Sequence, residues 1–461
     1  MKKILNAIHK NIFFVIVLLS VFIFFLIYLS RATNNTPYMD YWLYIDKLVD
    51  KMFSSGITFD DLYNSNGIHR SPLQLLIFLT NVKLFKYDVL LEIFLGAILL
   101  IPICSILYKE YKNDFKNINN KFLYYFGIVI FVILLFSLNQ WEIIASEFLL
   151  SYEIRVLNYL ISFILLNKIL HNKSKYGKYS IELGFFYIFV ITCISGMYFA
   201  AFVVSIIFSL LLDLIVDKDR KSNYKVYLII LISLIIGTVL YCYGINFNGN
   251  STVSLSINIQ WILGLFEAVF ILLGASLLGY STSIQTITII GAILFTIQIV
   301  CMIIFIIFKQ FKNNYLPILL MIYAFCICGE LYVGRANNFD LAYLASSRYI
   351  CETLWFLIAD LWIILNLNSY KFKYLNVKTI IKCFSVCFLV SIFTVNFYSN
   401  KNEWNTAIYR KEYLENLNNY ILDIENVSDE DFKNFTVDKE VIKRDVEIMK
   451  KYKLGIFQYN R

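Results

Sequence analysis

The residues best able to do chemistry lie in a polar stretch between the first two long apolar segments. This stretch carries an isolated acid, Asp40, next to Trp42. A carboxylate held at a membrane edge can take a proton from a hydroxyl group as that hydroxyl attacks, which is general base catalysis. It can equally be a solvated acid in the aromatic belt that membrane proteins place at the interface. Position alone leaves both interpretations open.

The same stretch ends in His69 and Arg70, and it continues into Pro72. The chain has only three histidines, and His69 is the one predicted to lie on the same side as Asp40. A His-Arg pair is often plain polar loop, but a guanidinium also binds anions through charge-assisted hydrogen bonds. Because Pro72 leads the chain back toward the membrane, Arg70 is a candidate ligand for an anionic group.

A second polar segment follows a long apolar run and is rich in acids. It contains Glu142, Glu147 and Glu153, with Arg155 close behind. Charges at the ends of membrane spans cost on the order of a few kcal/mol unless they are paired. Pairing inside a wet cavity would remove this cost. The simpler alternative is that Arg155 neutralises Glu147 or Glu153.

Two arginines, Arg335 and Arg348, bracket a later loop, and Tyr349 follows the second. Each guanidinium can give a phosphate two parallel hydrogen bonds, so the pair suits a phosphate or pyrophosphate. Structural pairing with Asp340 or Glu330 is the alternative.

The composition identifies the class of protein. The 461 residues are 59% hydrophobic and 16% charged, which no soluble domain needs. The apolar runs are about 20 residues long, as spanning helices require, and too continuous for a membrane β-barrel. The net charge is +8, and many of the Lys and Arg residues cluster in short loops on one side. This distribution indicates the orientation of the chain in the membrane and not a nucleic-acid partner.

The sequence therefore predicts an all-α polytopic membrane protein with about eleven transmembrane helices, the N-terminus inside and the C-terminus outside. The segment 257–278 is also apolar, but a crossing there would leave the following lysines outside, so it is predicted to be interfacial or re-entrant. The predicted spans are 12–29, 88–108, 122–138, 155–170, two within 181–216, 226–245, 286–308, 316–333, 350–367 and 379–397.

These spans divide the chain into a transmembrane domain, 1–397, and a small extracytoplasmic helical tail, 398–461. The transmembrane domain has a first outer loop, 31–85, with amphipathic helices predicted at 41–53 and 72–85, and another outer loop, 246–285. In the tail, Ser428 precedes three acids and is predicted to cap a helix.

Several common functional signals are missing from the sequence. All nine cysteines fall in predicted spans, where they act as small buried hydrophobic residues. The sequence has no Walker A loop, no dinucleotide-binding glycine pattern, no HExxH and no GxSxG. ATP-driven transport, dinucleotide chemistry, zinc proteolysis and a hydrolase elbow therefore have no support, and we expect no cofactor.

The short motifs together resemble the GT-C superfamily of polytopic glycosyltransferases, in particular a group of largely uncharacterised bacterial membrane proteins. The motifs that carry this resemblance are Asp40-Tyr41-Trp42, His69-Arg70, Gln140-Trp141-Glu142, Gly334-Arg335 and Ser347-Arg348-Tyr349. Two features depart from the pattern: Ile68 stands where the group tends to carry an acid, and Asp40 has no second acid beside it, the adjacent pair Asp60-Asp61 lying farther along.

The resemblance implies transfer of a sugar from a polyprenyl-phosphate donor to a cell-envelope glycan or lipid-linked acceptor, at the outer face of a bacterial cytoplasmic membrane. It implies inverting chemistry, and the missing second acid favours a metal-independent reaction. The implied catalytic base is Asp40, the implied phosphate ligands are Arg335, Arg348 and Arg70, and the supporting residues are His69, Trp42, Glu142, Glu147 and Tyr349.

Two other functions stay open on the sequence. A polysaccharide polymerase or ligase would also use outer-face arginines but would not need a first-loop acid. A transporter or flippase of lipid-linked glycans would show internal repeats and charges at mid-membrane. No clear repeat is present, although Asp360 lies inside a predicted span.

Overall fold

The fold is known from a computed structural model that describes residues 2–64, 70–115, 118, 120–171, 179–194, 197–216, 220–245, 258–279, 282–335, 340–370, 375–435 and 437–458. All regular structure in these residues is helical. The principal helices are α1 Lys2–Ala32, α2 Pro72–Phe85, α3 Val89–Asp114, α4 Lys121–Leu135, α5 Phe148–His171, α6 Tyr179–Phe189, α7 Phe199–Val216, α8 Arg220–Cys242, α9 Ile259–Leu278, α10 Ile284–Ile307, α11 Leu316–Arg335, α12 Ser347–Leu367, α13 Leu375–Leu422 and α14 Lys439–Tyr452.

Ten helical segments in the described part of the chain are long and apolar enough to cross a membrane. This confirms the prediction of an all-α polytopic membrane protein. Nine of the predicted spans coincide with such segments. The ten are Asn11–Ala32, Val89–Asp114, Lys121–Ile144, Phe148–His171, Tyr224–Cys242, Ile259–Leu278, Ile284–Ile307, Leu316–Arg335, Ser347–Leu367 and Asn376–Leu422.

The predicted and observed segments differ at two places. The apolar block 181–216 forms two helices, as predicted, but the segments Tyr179–Ile194 and Phe199–Ile215 are shorter than the ten spanning candidates. The second place is α9, which is long enough to span although the charge pattern predicts an interfacial or re-entrant helix.

Both ends of α9 contact residues near the same end of the helix bundle. The main-chain oxygen of Trp261, in its first turn, accepts a hydrogen bond from Tyr332, one turn before the end of α11. The main-chain oxygen of Leu277, in the last turn of α9, accepts a hydrogen bond from the Ser399 hydroxyl. That hydroxyl in turn accepts a hydrogen bond from the side chain of Asn139. The interfacial or re-entrant placement of α9 stays a prediction, and these contacts favour it.

Helix α12 occupies the centre of the bundle. Nearly all of its residues are buried, including the acids Glu352 and Asp360. Acids inside a membrane span are costly unless they face other protein groups, and the helices that enclose α12 keep both acids away from lipid. The first turn of α12, which carries Arg348, is therefore held in a fixed position at one end of the bundle.

The first loop is helical where the sequence predicts amphipathic helices. Its first part runs through three consecutive helical turns, Tyr41–Tyr44, Ile45–Val49 and Asp50–Ser54. The short helix Phe59–Asn64 follows, and α2 then begins at Pro72, whose fixed φ suits the first turn of a helix. The predicted placement on the membrane surface stays a prediction.

The tail packs back onto this first loop. Helix α13 runs for 48 residues without a break from the last candidate span into the tail. Three short helical turns follow, Ile424–Asn426, Asp429–Phe432 and Lys433–Phe435, with the final turn Gly455–Gln458 after α14. Ser428 caps the turn at Asp429 by accepting a hydrogen bond from the Asp431 amide, which confirms that predicted cap.

Candidate functional site

A cavity of about 380 Å³ opens at the end of the bundle where the first loop lies. It is the place where most of the predicted site residues meet. The cavity is bounded by the first loop, by the segment that joins α4 to α5, by residues between α6 and α7, by the end of α11 and by the start of α12. The predicted site residues that line it are Asp40, Glu142, Arg335, Arg348 and Tyr349.

Asp40 reaches the cavity because of an unusual backbone turn. The preceding residue, Met39, has a φ of 50°, in the left-handed region that side chains other than glycine rarely adopt. Asp40 then occupies the cap position before the helical turn that starts at Tyr41. Its side chain is exposed and makes no capping hydrogen bond to the turn that follows. A carboxylate so placed is available to a ligand in the cavity.

Glu142 is fixed at the start of α12. One carboxylate oxygen accepts hydrogen bonds from the hydroxyls of Ser346 and Ser347, both at 2.6 Å, and from the amide of Arg348 at 3.1 Å. The other oxygen lies 3.7 Å from the Arg348 guanidinium. A carboxylate is stabilised at this position because the free amides and the dipole of the helix N-terminus favour negative charge.

The Arg348 guanidinium is held in place from several sides. Its Nε donates to the Ser346 hydroxyl at 3.2 Å, and one terminal nitrogen lies 3.6 Å from the Met39 sulfur. The aromatic rings of Tyr343 and Tyr349 flank it at 5.1 and 5.8 Å. About a quarter of the Arg348 side chain stays exposed, so the guanidinium can still meet a ligand. The same contact to Met39 links it to the turn that carries Asp40.

Arg335 lines the cavity from the end of α11. It interacts electrostatically with Tyr349, the residue after Arg348. The cavity therefore has two guanidiniums on neighbouring helix ends, as the sequence predicts for a phosphate ligand.

The inner part of the cavity contains charges that the sequence did not assign to the site. Arg155 forms a buried ion pair with Glu352, and Tyr323 donates to the other oxygen of Glu352 at 3.3 Å. Of the two alternatives for Arg155, the structure favours pairing inside the cavity, since Arg155 lines it and its ion-pair partner is Glu352 and not Glu147. The Tyr152 hydroxyl donates to the main-chain oxygen of Cys351 at 2.7 Å and so joins α5 to α12. This contact brings Arg155 on α5 next to Glu352 on α12.

Glu330 also lines this inner part, where its carboxylate accepts a hydrogen bond from the Ala201 amide at 2.6 Å. Together with Glu352 it gives the cavity acceptors for hydroxyl groups. The sequence signal that could have found both residues is an acid inside or at the end of an apolar segment, since such acids are costly unless they are paired or functional.

Arg70 has a different role from the predicted one. It is 1% exposed and does not line the cavity. Its guanidinium donates to the main-chain oxygens of Tyr63, Tyr241 and Tyr243, at 3.0, 3.3 and 3.0 Å. It therefore joins the first loop to the end of α8. Arg70 is therefore not among the candidate phosphate ligands of the cavity.

Two supporting residues lie behind the cavity wall. Trp42 is buried and contacts the ring of Phe435 in the tail. Glu147 is fully buried and accepts hydrogen bonds from the Tyr38 amide at 3.1 Å and the Tyr87 hydroxyl at 3.0 Å. Burial raises the pKa of Glu147 to about 8, so this side chain is mostly protonated at neutral pH. Both residues hold the first loop and neither lines the cavity.

The remaining predicted supporting residue, His69, lies outside the described residues. Among the residues that the structure describes, no three His, Cys, Asp or Glu side chains are grouped as metal ligands. The metal-independent reaction stays a prediction.

Comparison with known proteins gives no match: no family model, no curated protein and no solved structure is similar to this chain.

Proposed function

We propose that the protein is a membrane glycosyltransferase of the GT-C type. It moves a sugar from a polyprenyl-phosphate donor to a cell-envelope glycan or a lipid-linked acceptor. The observation that carries the proposal is that an exposed acid, Asp40, and two arginines, Arg335 and Arg348, line one cavity at one end of a bundle of apolar helices. A base and a phosphate site side by side are what this transfer requires.

In the proposed reaction the acceptor hydroxyl attacks the anomeric carbon of the donor sugar. Asp40 takes the hydroxyl proton as the new carbon–oxygen bond forms. The bond between the anomeric carbon and the phosphate oxygen breaks, and the polyprenyl phosphate leaves with the electron pair. Arg335 and Arg348 stabilise the negative charge that develops on that phosphate. Attack on the face opposite the leaving group inverts the sugar configuration.

We further propose that the cavity faces the outside of a bacterial cytoplasmic membrane, with the N-terminus inside. Basic residues favour the cytoplasmic side of short loops. Lys109 and Lys112 lie at the end of α3, and Lys309 and Lys312 follow α10. These are the helix ends away from the cavity, which supports the proposed orientation.

The experiment that tests this function measures sugar transfer by the reconstituted full chain with a lipid-linked donor. Changing Asp40→Asn removes the base and keeps its shape, so kcat is expected to fall by roughly 10²- to 10⁴-fold. The matched control is Asp60→Asn, which alters an exposed acid of the same loop that does not line the cavity.

Full activity of Asp40→Asn would contradict the proposed base. If activity were lost only with Arg348→Ala, the polymerase or ligase alternative, which needs no first-loop acid, would replace the proposal.

A further inference from the structure

A second cavity, of about 640 Å³, adjoins the first one. The two cavities share Glu142 and Arg348 in their walls. Since Glu142 accepts three hydrogen bonds from the start of α12, the shared wall is fixed. The Arg348 guanidinium therefore lies at the junction, where a ligand that extends through both cavities would pass it.

One end of the second cavity is polar and carries guanidinium groups. Arg410, on the extension of α13, lines it beside the Ser346 and Ser347 hydroxyls. The Arg410 guanidinium stacks on the Trp141 ring at 3.8 Å, and Glu403 holds it through two contacts of 3.1 and 3.2 Å. The lining thus carries two guanidiniums, Arg348 and Arg410, each of which faces one carboxylate, Glu142 and Glu403 respectively. A guanidinium has five N–H donors, so each can still give a phosphate charge-assisted hydrogen bonds.

The other end of the second cavity is apolar. Ile284 and Ile287, from the first turn of α10, line it. The helix continues with Ile289 and Ile293, whose side chains are exposed on the outer surface of the bundle. On a helix long enough to cross a membrane, exposed aliphatic side chains face lipid. The apolar end therefore lies next to the surface from which a lipid would enter.

We infer that the second cavity binds the phosphate and the first isoprenoid units of the lipid-linked donor. The phosphate lies at the junction beside Arg348, with Arg335 in the wall of the first cavity and Arg410 in the wall of the second. The isoprenoid chain follows Ile284 and Ile287, and the sugar extends into the first cavity. This inference rests on the proposed function, because it assigns the donor of that reaction to a defined path. The acceptor hydroxyl then approaches from the side of Asp40.

The kinetic test uses Arg410→Gln in the reconstituted full chain. Loss of one charge-assisted hydrogen bond is expected to raise KM for the lipid-linked donor about tenfold. Arg410→Lys should recover part of the affinity. The control is Arg31→Gln, because Arg31 also stacks on a tryptophan, Trp404 at 4.8 Å, but lines neither cavity.

An unchanged KM in Arg410→Gln, or an equal rise in Arg31→Gln, would overturn the inference while leaving the proposed transfer intact.

A binding test separates this inference from the proposed function. A polyprenyl phosphate with a photoreactive group on its first isoprenoid unit is irradiated with the wild-type protein, and the labelled peptides are sequenced. We expect labelling at the start of α10, around Ile284 and Ile287, and competition by unlabelled polyprenyl phosphate. Labelling there without any sugar transfer would support the lipid site and contradict the transferase. Labelling elsewhere, or equal competition by inorganic phosphate, would overturn the lipid site.

Discussion

Glu142 determines the position of the Arg348 guanidinium. Its carboxylate caps the start of α12 and faces the arginine at the same time, so one side chain orients a helix end and a ligand group together. We expect Glu142 to act through Arg348, and not on the substrate directly. Its removal should therefore weaken donor binding through Arg348.

Substitution of Glu142 tests this positioning role. Glu142→Ala leaves the Ser346 and Ser347 hydroxyls and the Arg348 amide without their acceptor, so the free energy of unfolding should fall by about 1–3 kcal/mol. The KM for the donor should rise roughly tenfold, since Arg348 loses its support. Donor kinetics and thermal unfolding measure both effects.

Glu142→Gln keeps an acceptor oxygen and should show a smaller effect on both quantities. The control is Glu412→Gln, an exposed acid on α13. Equal behaviour of the alanine and glutamine variants would argue against the capping role.

Five of the predicted site residues could be found from local sequence because each lies beside a long apolar segment. Charged groups are uncommon there, so Asp40 and Arg348 stand out without knowledge of the fold. Arg70 stands out equally, but its partners Tyr241 and Tyr243 come from a helix end far along the chain. No local pattern reveals a contact of that kind, and the structure gives the assignment of Arg70 to the phosphate no support.

At the scale of elements, the charged face of the first-loop helix meets the tail. Arg444 on α14 donates to both oxygens of Asp46, at 2.8 and 3.2 Å. Lys451 and the Tyr452 hydroxyl both donate to Asp50, at 2.7 and 2.8 Å. Helical periodicity identified the helix and its two faces. The partner of the polar face could not be predicted, because solvent, lipid headgroups and a protein surface all suit the same charges.

Asp445 makes this contact dependent on pH. It is fully buried, and neither carboxylate oxygen has a hydrogen-bond partner among the described residues. Burial, together with the nearby charge of Asp46, raises the pKa of Asp445 to about 9, against the opposing effect of Arg444. An unfolded aspartate has a pKa of about 3.9. The folded tail therefore retains a proton that the unfolded chain releases, and its stability falls as the pH rises from about 4 to about 9.

Asp445→Asn should remove this dependence, because the neutral amide has no proton to lose. We expect the variant to resist proteolysis of the tail better than wild type at pH 8, with a smaller difference at pH 5. Limited proteolysis across that range measures the effect. The control is Asp438→Asn, at the cap position of α14, where no pH-dependent gain is expected. A wild-type tail equally resistant at both pH values would contradict the role of Asp445.

For the whole molecule, the number and type of helices followed from the lengths of the apolar runs. The arrangement that brings five separate segments around one cavity did not, because it depends on packing between residues far apart in sequence. Helix α12 illustrates the difference: its apolar sequence predicts a span, whereas its central place follows only from the helices that enclose it.

The proposed orientation is tested by labelling single cysteines in a variant without the native ones. Ser55→Cys lies on the first loop, on the side of the cavity. Lys109→Cys lies near the end of α3 that is away from the cavity, and both positions are exposed. In intact cells a membrane-impermeant thiol reagent should modify Ser55→Cys and should reach Lys109→Cys only after permeabilisation. The reverse pattern would place the cavity in the cytoplasm.

The docking of the tail on the first loop also sets the order in which the site is completed during synthesis. The ribosome makes Asp40 before nearly all of the candidate spans. Helix α14, whose side chains contact Asp46 and Asp50 of the first loop, is made after all ten of them. Until α14 has been made, the nascent first loop lies at the membrane without the contacts that α14 makes to it. A chain truncated before α14 would insert its spans and still lack the contacts that hold the first loop in place.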